Sequence, residues 1–449
     1  MIVARAPNER QAPAARACHA SSASINRRNI RVLRKLNAGR TSPDLYLHSF
    51  PMFESLTPAP PDPILGLSEA FRGDPNPNKI DLSVGVYRDE QGTTPMFACV
   101  REAARRLAES ETTKAYLPID GLAEFGNRVR ELLFGGADSK LATDGRAVTA
   151  QTPGGTAALR VAADFVRRSF PRARVWYSRP TWNNHPAVFA AAGLEGVEYP
   201  YIDSEGTGLD FPAMIGALRE APRGDLVCLH ASCHNPTGID PTPEQWNEIA
   251  RVVAERGLLP LVDFAYQGLG DSLKGDAVGL DALCRTGCDL LIASSYSKNF
   301  GLYGERVGAL TIVAGTPEAA RAAMSHVKAC ARVNYSNPPK HGGQIVATVL
   351  ADAELRRMWE RELDTMRGRI HGMRTLFVET MRRKAPGRDF GFLTRQKGMF
   401  SYSGLTRDEV ERLRREHSVY IVGSGRINVA GITEKNIDRL CDAIAAVIE

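Results

Sequence analysis

Residues 289–313 read DLLIASSYSKNFGLYGERVGALTIV. Two apolar runs, 289–293 and 306–313, flank a segment of hydroxyls, glycines and one lysine, Lys298. A short apolar run bounded by turn residues predicts a buried strand, and a strand buried on both faces needs helices to cover it. Further runs of this kind occur at 174–178 (RVWYS), 225–230 (DLVCLH) and 258–263 (LLPLVD). Between them, 121–134 (GLAEFGNRVRELLF) and 243–256 (PEQWNEIARVVAER) space their apolar residues at three and four positions, the helical period. Strands alternating with helices predict an α/β fold with a mainly parallel sheet between helices. Two helix starts are locally specified. Thr242-Pro243-Glu244-Gln245 offers an N-cap hydroxyl, proline at the first helical position and glutamine three beyond the cap, and Thr406-Arg407-Asp408-Glu409 is a second such box.

After about residue 350 the pattern changes. A long charged amphipathic helix over roughly 352–384 leads into short strands and two helices. We expect a large domain over 95–365 and a smaller α+β domain over 366–449, with the Pro- and Gly-rich segment 52–94 crossing back to join the smaller one.

The 449 residues are 43% hydrophobic and 24% charged, enough for about two or three domains with ample core. No run of about 18 uncharged apolar residues occurs, which excludes a membrane span. Eight scattered cysteines suit reduced thiols in the cytoplasm better than a disulfide framework. The net charge of +6 is confined to one end. Residues 1–51 hold eight Arg and one Lys against Glu9 and Asp44, whereas the other 398 residues hold 48 basic and 49 acidic side chains. The body therefore has no basic field suited to nucleic acid or anionic lipid. Residues 1–51 lack the apolar core of a secretory signal. They read in three ways: sequence upstream of a true start at Met52, an Arg- and Ser-rich mitochondrial-type targeting segment, or a basic arm.

Three elements carry chemistry. Lys298 lies just beyond a buried strand among hydroxyls, where an amine has its pKa lowered and becomes nucleophilic; a lone lysine there is otherwise a surface residue. Arg306, eight residues on, is placed to meet a phosphate. Asp263 ends the run LLPLVD, and ligands of open α/β sheets sit outside the carboxyl ends of strands; its plainer role is a turn or helix cap. Thr152-Pro153-Gly154-Gly155-Thr156 opens a helix expected over 157–168, so its backbone N–H groups suit a phosphate. Together these three are far more specific than any one alone.

With these residues in place the chain from Met52 to Glu449 resembles a class I aminotransferase of the aspartate/aromatic subgroup, a pyridoxal-phosphate enzyme of fold type I. The matching strings, in the family's order, are DPILGL (62–67), TTKAYLPIDG (112–121), QTPGGTAALR (151–160), CHNPTGIDP (233–241), DFAYQG (263–268), SYSKNFGLYGERVGA (295–309), NYSNPP (334–339) and SGRINVAG (424–431). The resemblance implies pyridoxal 5′-phosphate as cofactor, with Lys298 forming the Schiff base and later moving the substrate's Cα proton. It implies that Asp263 keeps the pyridine nitrogen protonated with His185 behind it, and that Asn235 and Tyr266 bond the phenolic oxygen. Trp182 would stack on the ring, and Gly155, Thr156, Ser295 and Arg306 would hold the phosphate. Tyr116 would reach it from a neighbouring subunit, so a homodimer with shared active sites is implied. Arg426 would take the substrate α-carboxylate, with Gly85, Trp182 and Asn235 nearby, and Asn235-Pro236 would be cis.

Arg332 matches the residue that binds a distal carboxylate across the dimer in both branches of the subgroup, so it implies dicarboxylate use without excluding Phe or Tyr; the favoured reaction moves the amino group of L-aspartate to 2-oxoglutarate. Val86, Thr94, Thr156 and Asn337 match the aspartate branch; Ala115 and Arg88 depart from it, where Asn and Lys are usual. Ala115 would leave room for an aromatic ring, so dual dicarboxylate and aromatic specificity is the alternative. A regulator carrying such a domain behind a DNA-binding module is disfavoured, since residues 1–51 show no helix-turn-helix pattern. A decarboxylase or lyase would not need both Arg332 and Arg426. No metal site is expected: neither Cys228, Cys233 and His234 nor Cys284 and Cys288 complete a four-ligand set.

Overall fold

In the computed structural model seven strands form one sheet, built from β2 (Ala147–Pro153), β3 (Val175–Arg179), β4 (Gly196–Pro200), β5 (Leu226–His230), β6 (Leu259–Phe264), β7 (Leu290–Ser295) and β8 (Val307–Val313). Preceding them is β1 (Ile80–Asp81); following them are β9 (Phe400–Tyr402), β10 (Val419–Tyr420) and β11 (Arg426–Asn428). The structure describes residues 53–58 and 65–448, so the readings of residues 1–51 lie outside the described residues.

The sheet order is β2-β8-β7-β6-β5-β3-β4, and every pairing is parallel except the two made by β8. Strand alternation explains why these runs are apolar throughout. Leu226 and Cys228 pack into one hydrophobic cluster and Val227 and Leu229 into another; Leu291 and Ala293 divide from Leu290 and Ile292 in the same way. Both faces are thus buried under helices, the condition a parallel sheet requires.

Both local helix signals act as capping boxes: Thr242 accepts from Gln245 N and Thr406 from Glu409 N, each with the reciprocal side-chain bond. The helix opened by the glycine turn begins earlier than expected, spanning Gly154–Ser169.

The described residues from 65 to 448 lie within one compact unit. Within it Ala353–Lys384 is a single helix, and the boundary expected between 365 and 366 falls inside it. Its Asp352 cap accepts from Glu354 N and Leu355 N, while Arg382, Arg383 and Lys384 complement the carbonyl end. β1 pairs in parallel with β10, and β9 pairs antiparallel with β11, bringing chain from either side of the large sheet together. Among the described residues no helix is long and apolar enough to cross a membrane.

Candidate active site

The reversed direction of β8 organises one edge of the sheet. The parallel strands β5, β6 and β7 end there at His230, Phe264 and Ser295, while β8 begins there, just after Arg306. Pro153, the end of β2, lies opposite Val307, so the glycine turn and Arg306 meet beside the same edge. Gly154 has φ +82°, and a Cβ there would overlap the Arg306 guanidinium; a Cβ on Gly155 would lie 3.0 Å from Ser295 Cβ. Arg306 donates to Ser297 Oγ at 3.4 Å and to the Tyr303 carbonyl at 3.0 Å, and among the described residues it has no carboxylate partner. Backbone N–H groups at a helix start, hydroxyls and a guanidinium not committed to a carboxylate make a cradle for a phosphate. Ser294 Oγ, close by in sequence, is buried without a hydrogen-bond partner.

Asp263 lies opposite His230 in the register of β6 and β5. Its Oδ2 stands 3.1 Å from His185 Nε2, and His185 Nδ1 bonds Thr181 Oγ1 at 2.8 Å. Burial pushes the Asp263 carboxyl up, but the hydrogen bond and charge of His185 outweigh it, so the net shift is down. Burial also pulls His185 down; the Cys228 sulfur and the Asp263 carboxylate more than reverse this. Next to it, burial and the neighbouring His185 hold His230 neutral, at about 3. His185, His230 and Asp263 place ligand-type atoms within 4.8 Å of one another. Because His185 and Asp263 already bond each other, the set serves to orient a carboxylate.

Lys298 Nζ lies 4.9 Å from the centroid of the Tyr266 ring. Burial lowers its pKa, Asp263 opposes that shift, and Arg306 reinforces it. Tyr266 Oη accepts from Asn235 Nδ2 at 3.3 Å, and burial raises the phenol's pKa. Asn235 is presented by a loop that Asp240 shapes, its carboxylate accepting from Cys233 N at 2.7 Å and His234 N at 2.9 Å. The Asn235-Pro236 bond is cis.

Arg426, on β11, donates to the Ser83 carbonyl and, at 3.4 Å, to Asn235 Oδ1, while its Nε has no partner. Only 4% of it is exposed, and burial pulls its pKa down to about 10, opposed by Tyr266. Among the described residues no carboxylate pairs with it. A buried cation without a carboxylate partner is costly, so this position suits a bound anionic group.

One chain thus brings together Lys298, Asp263, Tyr266, Asn235 and Arg426, and beside them Gly155, Thr156, Ser295 and Arg306. Trp182 sits edge-on to His185, with ring centroids 5.3 Å apart. Gly85 packs against Phe400, which lies under Arg426. Tyr116 and Arg332 are placed differently: Tyr116 is 91% exposed, and Arg332 is exposed and donates to Ser336. Arg88 is committed to Asp81 at 3.1 Å. Reading the sequence missed Ser83, His230, Ser297 and Phe400. Only His230 left a signal, as the last residue of an apolar run parallel to LLPLVD.

Residues 77–444 match the family model described as aminotransferase class I and II. The chain is 56% identical over 397 residues to aspartate aminotransferase of Escherichia coli K12, covering 88% of this chain and 100% of that protein. It is 47% identical over 395 residues to aromatic-amino-acid aminotransferase of Pseudomonas aeruginosa, covering 88% of this chain and 98% of the other. A crystal structure of aromatic-amino-acid aminotransferase from Burkholderia pseudomallei, covalently bound to pyridoxal phosphate, superposes with a TM-score of 0.86 at 47% identity, over 89% of this chain and 100% of that one.

Proposed function

The chain belongs to the class I and II aminotransferase family, and from that premise we propose a pyridoxal 5′-phosphate-dependent transaminase acting on L-aspartate. It transfers the amino group to 2-oxoglutarate in ping-pong fashion: oxaloacetate leaves before 2-oxoglutarate enters, and L-glutamate is the second product. The observation that carries this reading is the buried guanidinium of Arg426, without a carboxylate partner among the described residues, in the site that holds Lys298, Asp263 and Tyr266.

The residues fit the cofactor. The Gly154–Thr156 turn, Ser295 and Arg306 suit its phosphate, since a Cβ on Gly154 would fill the space that Arg306 borders. Asp263, an anion held down by His185, suits a protonated ring nitrogen. Tyr266 and Asn235 suit its phenolic oxygen, and Trp182 suits its ring face. When bound, the cofactor supplies an electron-withdrawing ring that delocalises the charge left at a substrate's Cα.

The chain's own residues do the rest. Arg426 binds the α-carboxylate as a fork and thereby orients the Cα–H bond, with Gly85 and Asn235 alongside. Lys298, whose ammonium form burial disfavours, is the amine that accepts the Cα proton. Asp263 keeps its negative charge throughout, steadied by His185.

We further read the catalytic unit as a homodimer. Tyr116 and Arg332 are exposed on one chain, and each then serves a neighbouring subunit, Tyr116 at the phosphate and Arg332 at the distal carboxylate of the dicarboxylic substrate. Seven free cysteines among the described residues support a reducing, cytoplasmic setting.

A second reading has support. Ala115 beside Tyr116 presents no polar side chain, and the aromatic-amino-acid aminotransferases are similar at 47% identity. One methylene-scale change alters selectivity by only about 1–3 kcal/mol, so dual specificity lies within reach. Single-turnover spectra of Met52–Glu449 loaded with cofactor, mixed separately with L-aspartate and L-phenylalanine, decide between them. Fast conversion with aspartate alone supports the first reading, and comparable rates support the second. No conversion with either refutes both.

A further inference from the structure

Arg426 on β11 and Phe400 on β9 lie on neighbouring antiparallel strands, two positions out of direct register and so on the same face. The Arg426 Cζ sits 4.3 Å from the centroid of the Phe400 ring, and 3% of Phe400 is exposed. The hydrogen bonds of Arg426 hold it unevenly: the one to the Ser83 carbonyl is short at 2.5 Å, the one to Asn235 is long at 3.4 Å, and Nε makes none. The aromatic face beneath it is a further contact on the guanidinium, beside these bonds.

That ring is itself fixed. A Cβ on Gly85 would lie 2.6 Å from Phe400 Cζ, so only glycine leaves the ring at this height. Tyr266 meets it edge-on, with centroids 6.0 Å apart. The strand behind it is clamped by Arg374, buried to 1% exposure, which donates to the Gly398 carbonyl at 2.8 Å, the Phe400 carbonyl at 3.3 Å and Ser401 Oγ at 3.2 Å. Two buried guanidiniums thus meet this short strand: one holds its backbone, and the other rests on its aromatic ring.

We infer that Phe400 is a positioning residue: its ring face holds Arg426 in the orientation that receives the substrate α-carboxylate, through cation–π attraction in a desolvated setting. This rests on the reading of Arg426 as the α-carboxylate site. The attraction between a cation and the negative face of an aromatic ring strengthens when water is excluded, as it is here. An inert apolar spacer would fill the same volume without holding the guanidinium plane.

The test uses the cofactor-loaded enzyme and single turnovers with L-aspartate. Phe400→Leu keeps an apolar side chain and removes the ring face. It should raise the half-saturating L-aspartate concentration about tenfold and change the limiting rate by less than about threefold, with the bound-cofactor absorbance unaltered. In an Arg426→Gln background the same substitution should change the second-order rate with L-aspartate by less than about twofold, because the cation it acts through is gone. Phe400→Met, a flexible filler, replaces the leucine variant if that one fails to hold cofactor. An unchanged half-saturation, or an equal loss in both backgrounds, overturns the inference and leaves a spacer. A wild-type enzyme that does not convert L-aspartate instead sinks the transaminase reading and this inference together.

Discussion

Asp263 Oδ2 and His185 Nε2 stand 3.1 Å apart inside the protein, with His185 wholly enclosed and Asp263 8% exposed. An anion so placed keeps its charge only because a donor faces it on one side, which leaves its other oxygen free to face a ligand.

Replacing Asp263 with Asn removes that charge without changing shape. Transamination by the loaded enzyme should fall by about 10²–10³, the scale for loss of one preorganised electrostatic group. His185→Asn leaves the carboxylate in place but unsteadied and should cost only about tenfold. Stopped-flow rates with L-aspartate check the ordering, and equal losses would mean that the histidine does more than orient.

Lys298 makes a pH prediction for the cofactor-free chain. Burial, opposed by Asp263 and reinforced by Arg306, lowers its pKa in the folded state below the ordinary value of 10.5. Between those two values the unfolded chain holds a proton there that the folded chain has lost, so this residue makes stability rise with pH across that window. Lys298→Met should flatten the rise. Thermal midpoints of both proteins followed upward in pH toward 10.5 measure it, and parallel curves would contradict the assignment.

Gly154 has a left-handed φ of +82° and faces Arg306. Gly154→Ala should destabilise the cofactor-free chain by about 1–2 kcal/mol through backbone strain. It should also weaken pyridoxal 5′-phosphate binding by at least about tenfold, because the new methyl group displaces the guanidinium. Fluorescence titration of the cofactor-free protein gives the second figure, and denaturant melts give the first.

Trp359, fully buried on the long helix, donates from its indole nitrogen to the Asn299 carbonyl at 2.7 Å and stacks on Phe300 at 4.6 Å. It therefore anchors the two residues that follow Lys298. Trp359→Phe should cost about 1–3 kcal/mol by orphaning that carbonyl, and Trp359→Ala about 3–5 kcal/mol by opening a cavity. Urea melts of the loaded enzyme test both, and the alanine variant should also slow proton transfer at Lys298.

What could be read in the chain depended on how far apart the cooperating residues lie. The capping box at Thr242 is complete within four positions, so it was legible without tertiary knowledge. Strand ends carrying Asp263 and Lys298 were legible because buried strands announce themselves as apolar runs. The reversal of β8 was not, since VGALTIV reads alike in either direction of pairing. The helix start at Gly154 was placed late because glycines are poor helix formers, and a cradle partner overrode that preference. Ser83 was invisible because it reaches Arg426 across 343 positions. Phe400 resembles any core phenylalanine until Gly85 and Arg426 are seen against it.

The pairing of β2 with β8 has a kinetic consequence. Thr149 and Thr311 join their hydroxyls at 2.9 Å across this pair, though 162 positions separate them. Contacts of such long sequence separation carry a large loop-closure entropy and form late in folding. Gly154 and Arg306 lie at the end of that same pairing. The phosphate cradle is consequently complete only when these two strands have paired, and a chain in which they have not met lacks it. Cofactor uptake then becomes a checkpoint: it selects chains whose sheet has closed and, by mass action, holds them there.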